Sequence, residues 1–180
     1  VSATSANAVG MLLSAIAATT VTIGGLSSAT GGTTGFEANT FTGASPLTIT
    51  DSAFTGAGNG HGFYATAFGG AGPPLSLTNV EAESTGGGTG NGLGVQTFSA
   101  GCIVTLANVA GTAAAYGVLL RALPGVTASL TGVTGESSAA GGNGIMIRET
   151  SATSTVALSA CHASAVLSAL YFHTIADTTV

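Results

Sequence analysis

Residues 75–80 read LSLTNV, and nearly the same six letters return as VTLANV at 104–109, ASLTGV at 128–133 and VALSAC at 156–161. The apolar residue at the third position of this motif falls at Ile23, Ile49, Leu77, Leu106, Leu130 and Leu158, at spacings of 24 to 29 residues. A second motif keeps step with the first: glycine, apolar, any residue, apolar. It reads GMLLSA from Gly10, GFEANT from Gly35, GFYATA from Gly62, GLGVQT from Gly92, GVLLRA from Gly117 and GIMIRE from Gly144, and ALYFHT from Ala169 keeps it without the glycine. Two unrelated patterns that share one drifting period point to a repeat architecture.

Both motifs alternate apolar and other residues with period two, the pattern of a strand with one buried face. The inward residues of the first are Val21 and Ile23, Leu47 and Ile49, Leu75 and Leu77, Val104 and Leu106, Ala128 and Leu130, Val156 and Leu158. Those of the second are Phe36 and Ala38, Phe63 and Ala65, Leu93 and Val95, Val118 and Leu120, Ile145 and Ile147, Leu170 and Phe172. Strands that return once per coil with the same face inward describe an all-β fold, a parallel β-helix. It is read as one domain over residues 1–180, of about six coils of 24–30 residues, with both ends weakly capped. Two residues past each anchor stand Gly25, Asp51, Asn79, Asn108, Gly132 and Ala160, mostly types that tolerate a left-handed backbone, so a sharp corner is expected there. The next inward position holds Leu26, Val80, Val109, Val133 and Cys161, with Ser52 the exception; the rest of each coil is read as variable loop.

Composition narrows the function classes. With 45% apolar residues the chain buries a core, and with no lysine and two arginines at a net charge of −5 it lacks the cations that nucleic acid requires. So few charges suit an extracellular or cell-surface protein. The apolar run at 8–18 is too short to span a bilayer, so no membrane insertion is expected; it is read as a first strand or as a capping helix. Cys102 and Cys161 fall two repeats apart and are not expected to meet.

No constellation for catalysis emerges. The acids Glu37, Asp51, Glu81, Glu83, Glu136, Glu149 and Asp177 scatter over different coils and corners, only Glu81 and Glu83 being close, in what reads as a loop. His61, His162 and His173 show no metal-ligand spacing, and the glycine-rich GAGNGHG at 56–62 precedes a strand rather than a helix, so it is a turn and not a phosphate cradle. The chain is therefore expected to be no enzyme and to hold no cofactor or metal. The outward positions say more. On the first strand they form a hydroxyl face of Thr22, Thr48, Thr50, Ser76, Thr78, Thr105, Ser129 and Thr131, broken by Pro46, Pro74, Ile103, Ala107 and Ala157. On the second strand Tyr64, Leu119, Met146 and Tyr171 share one outward column, expected to be an exposed apolar ridge for interaction.

The coils ASLTGVTGESSAAGGNGIMI and LSLTNVEAESTGGGTGNGLGV resemble those of right-handed β-helix passengers, the pertactin-like autotransporter adhesins, over about residues 10–175. That resemblance implies an extracellular stalk or adhesin. The leading expectation is a non-catalytic surface adhesin segment or filament subunit, with a surface receptor or glycan as a further partner. It would self-associate laterally or end to end, because ADTTV at 176–180 echoes ATTV at 18–21 and neither end shows a cap. The alternatives are an ice-binding β-solenoid that uses its Thr/Ser face, whose hydroxyl array resembles the surfaces of such proteins, and a polysaccharide-active β-helix enzyme or phage tail-fibre segment.

Overall fold

The computed structural model describes residues 2–25, 28–43, 45–69, 75–150, 153–176 and 178–180; Leu26, Pro74 and Asp177 of the sequence reading lie outside them. In chain order the strands are β1 (Ser2–Ser5), β2 (Met11–Ala17), β3 (Val21–Gly24), β4 (Ser28–Gly31), β5 (Phe36–Thr42), β6 (Leu47–Gly56), β7 (Phe63–Phe68), β8 (Leu75–Ser84) and β9 (Asn91–Phe98). They continue with β10 (Ile103–Ala113), β11 (Tyr116–Arg121), β12 (Thr127–Thr131), β13 (Thr134–Ser137), β14 (Asn143–Thr150), β15 (Ser154–Ser159), β16 (His162–Ser164), β17 (Ser168–Ile175) and β18 (Thr178–Thr179). All pair in parallel with the strands of the coils above and below, giving a β-solenoid of about six turns. At about 4.8 Å per coil it is roughly 30 Å long. The run at 8–18 is strand β2, not a helix.

Each coil has three walls where the sequence reading has two. The first motif builds wall one: β3, the leading halves of β6, β8 and β10, then β12, β15 and β18. The second motif builds wall three, in the order β17-β14-β11-β9-β7-β5-β2. The additional wall is β1, β4, the trailing halves of β6, β8 and β10, then β13 and β16. Glu81 and Glu83 therefore stand on a strand and not in a loop. Walls one and two meet at the left-handed corner: Gly25, Asp51, Asn79, Asn108, Gly132 and Ala160 all have φ between 50° and 63°. Strands β6, β8 and β10 run through that corner unbroken, so walls one and two count as a single bent sheet.

The anchors stack as the period requires, Ile23 on Ile49, Leu77, Leu106, Leu130 and Leu158 in succession. Inward side chains from Leu47 to Leu130 are fully buried. Aromatic rings stack from coil to coil inside: Phe41 on Phe68 at 4.5 Å and Phe68 on Phe98 at 4.4 Å, both within 5° of parallel. The motif glycine is explained by close approach. Walls two and three converge until a Cβ on Gly92 would overlap the backbone N of Thr112 and lie 2.7 Å from backbone atoms of Gly111 and Gly117. Wall two accordingly turns small residues inward, the column Ala3, Ala29, Phe54, Ala82, Gly111, Gly135 and Ala163, in which Phe54 alone is large. Serine hydroxyls pin the intervening turns, Ser84 donating to the Gly60 carbonyl at 2.6 Å and Ser137 to the Ala114 carbonyl at 2.7 Å.

Candidate functional site

Wall one presents the hydroxyl face. Thr22, Thr48, Ser76, Thr105 and Ser129 follow one another in register, ending at Ala157. Beside them runs Gly24, Thr50, Thr78, Ala107, Thr131 and Ser159. Rows repeat at about 4.8 Å and columns at about 6.7 Å, the distance of two residues along a strand. Thr22 and Thr131 are exposed and the other six residues of the face half-buried. No side-chain hydrogen bond among the described residues uses these eight hydroxyls, so they point to solvent. Every side chain in the array is uncharged, and all eight residues read from the sequence stand together.

Wall three corrects the expected ridge. Tyr64, Gly94, Leu119, Met146 and Tyr171 do form one column. Yet Leu119 and Met146 are only 5% and 4% exposed, so there is no apolar ridge. Over Met146 and Gly94 the cover comes from side chains near the start of the same strand. Asn143 reaches forward until its Nδ2 is 3.9 Å from Met146 Sδ, and Asn91 lies over Gly94 with Nδ2 3.1 Å from where a Cβ would be. Tyr64 is half-buried under His61, whose ring stacks on it at 4.5 Å, and its hydroxyl accepts a hydrogen bond from Gln96. Tyr171, in the last coil, remains exposed.

The polar groups of this wall act as rungs between coils. Ser14 donates to Asn39 of the next coil at 2.5 Å, and Asn39, within its own strand, donates to Glu37 at 2.8 Å. Arg121 Nε donates to Glu149 Oε2 at 2.8 Å, and Arg148 Nε stands 3.4 Å from Oε1 of the same carboxylate. The Arg121 hydrogen bond holds the Glu149 carboxyl below its ordinary range; burial opposes it, and the charges of Arg121, Arg148 and His173 add to the lowering. Burial holds the His61 imidazole below its ordinary value, with Glu37 opposing. His61 Nδ1 accepts from the Asn91 N–H at 3.0 Å. A hollow of about 400 Å³ beside it is lined by Thr33, Thr34, Glu37, Asn59 and Tyr64. Neither His61 over Tyr64 nor Glu149 between two arginines was visible in the sequence. His61 precedes Tyr64 by only three residues, but Asn91, which donates to it, lies 30 residues on, and Arg121 stands 28 residues before Glu149; only the exact coil length aligns these partners.

At the first corner a polar ladder climbs the outside: Asn79 Nδ2 donates to Asp51 Oδ1 at 2.8 Å and Asn108 Nδ2 to Asn79 Oδ1 at 3.2 Å. It stops at Gly132, where an added Cβ would lie 2.7 Å from Asn108 Oδ1. A shallow groove of about 480 Å³ follows this ladder, with Glu81 and Thr134 on its wall-two side. Among the described residues no three His, Cys, Asp or Glu side chains come together as metal ligands would.

The two ends differ from the middle. Core-facing Leu170 and Phe172 are 46% and 37% exposed, whereas Ile145 and Ile147, one coil below, are 1% and 0%. At the other end Met11, Leu13, Ile16, Val21 and Ile23 are only partly covered. No protein family, curated protein or solved structure matches the chain. The β-helix character of the resemblance is therefore carried by the coils themselves, and the passenger type is not shown.

Proposed function

We propose that the chain is an extracellular structural protein, a surface adhesin segment or filament subunit, in which the stacked coils themselves are the working part. The observation that carries this reading is the repetition of one interface: coil after coil stacks the same inward column, Leu77 on Leu106 on Leu130, through parallel ladders in register. The outward polar groups, Ser14 with Asn39 and Arg121 with Glu149, are spent on joining neighbouring coils. The shortage of charged residues supports a place outside the cytoplasm. Antibody labelling of intact source cells tests the reading: label on unpermeabilised cells, over fibres or a surface coat, is expected. Label that appears only after permeabilisation would sink it.

A second reading is favoured by the hydroxyl face. Hydroxyls in a neutral array of about 4.8 by 6.7 Å, unused by the protein's own hydrogen bonds, offer regular positions to ordered water, as an ice-binding solenoid does. Thermal hysteresis in a freezing-point assay, abolished by Thr48→Lys with Thr78→Lys, would support it. Freezing and melting points that coincide at high protein concentration would exclude it.

A further inference from the structure

The structural reading leaves open what meets the exposed ends, and the inference here rests on it. We propose that a second copy of this chain docks its N-terminal coil on the C-terminal coil of the first, head to tail and in one register. The ladders are parallel throughout, so a contact that continues them must join unlike ends.

The two ends fit wall by wall. On wall three, Leu170, Phe172 and Ile175 lie in the columns that Met11, Leu13 and Ile16 begin. Both strands bend at the same place: Thr174 has φ 53° and Ala15 φ 56°. On wall two, His162, Ala163 and Ser164 would receive Ser2, Ala3 and Thr4. On wall one the register that pairs Thr155 with Thr179 carries Val180 into the column of Val21. The junction thus continues the coil-to-coil interface already repeated through the molecule: apolar on apolar, strand edge on strand edge. Electrostatics do not oppose it. Residues 2–36 contain no charged side chain, so His162 and His173 would meet only Ser2 and Ser14.

Charge placed at one end and then the other tests the polarity. Phe172→Lys blocks the C-terminal coil and Leu13→Lys the N-terminal coil. In sedimentation the unmodified protein should form a concentration-dependent series of multiples of 17.0 kDa. Each variant alone should stay single, and an equimolar mixture should form dimers and nothing longer. Leu170→Lys with Met11→Lys repeats the test on neighbouring residues, and circular dichroism checks that every variant keeps its strands. Folded protein that stays single at all concentrations and in the mixture overturns self-docking, as does either variant pairing with itself. The structural reading would survive that result, since other coils can occupy the ends; it falls with the cell labelling and not with this assay.

Discussion

Gly87 and Gly92 lie in one glycine-rich stretch, and replacing each by alanine should have opposite effects. A Cβ on Gly87 meets nothing within 4 Å, and its backbone lies outside the left-handed region. A Cβ on Gly92 would overlap the Thr112 nitrogen and stand 2.7 Å from Gly111 C and Gly117 O, all backbone atoms of strands in ladders. Ordinary contact between such atoms is about 3.5–4.0 Å, so one wall must move by roughly 1 Å. Overpacking of that kind costs about 1–3 kcal/mol, and a displaced ladder hydrogen bond adds about 1 kcal/mol. Gly92→Ala should therefore lose about 3 kcal/mol, and at about 2–4 °C per kcal/mol for a chain of this size its Tm should fall by about 6–12 °C. Gly87→Ala should change little, or gain about 0.4–1 kcal/mol from the stiffer unfolded chain. Thermal and urea unfolding followed by circular dichroism compares the two against the parent. If Gly92→Ala melts within about 2 °C of the parent, a loss of no more than about 1 kcal/mol, the close approach of walls two and three is wrong.

Three more predictions follow from buried groups. Phe68→Ala, which removes the middle ring of the Phe41–Phe68–Phe98 stack, should lower stability by about 3–5 kcal/mol, read as the urea midpoint. A loss under about 1 kcal/mol would mean that the rings do not pack as described. Leu119→Ser and Met146→Ser should each destabilise by about 2 kcal/mol or more, because both side chains are buried; unchanged melting would return them to the surface. His61 should titrate below the ordinary imidazole value in an NMR titration, since burial disfavours its cation. Because the unfolded chain then binds the proton first, stability is full above the unfolded value of 6.5 and falls as pH drops below it. His61→Gln should weaken that fall, and a midpoint at or above 6.5 would refute the cause.

How much of this was legible in the sequence follows from side-chain size. Walls one and three could be read because Leu, Ile, Val and Phe alternate there with exposed residues, and because one glycine per coil is sterically required. The first corner was legible because most of its left-handed positions hold Gly, Asp or Asn. Wall two was not legible: where the walls converge, its inward residues, Phe54 apart, are small, Ala29, Gly56, Ala82, Ser84, Gly111 and Gly135 among them, a composition that reads as loop. A second left-handed corner in wall three was equally hidden. Its positions hold Ala15, Thr40, Ala67, Thr97, Ala122, Glu149 and Thr174, none a type that favours such a backbone. Of the candidate sites, the hydroxyl face followed directly from strand alternation. The ridge failed because alternation tells which way a side chain points, and not whether Asn91 or Asn143 folds across it.

The parallel ladders give the molecule a mechanical character. Each coil is joined to the next by hydrogen bonds that run along the solenoid axis, so tension applied between its two ends loads those bonds one layer at a time. A coil such as that from Phe36 to Phe63 advances the axis by about 4.8 Å while folded. Peeled away, the same roughly 27 residues reach about 90 Å. A tether built this way would lengthen nearly twentyfold per surrendered layer, dissipating work in even instalments and leaving the layers beneath intact.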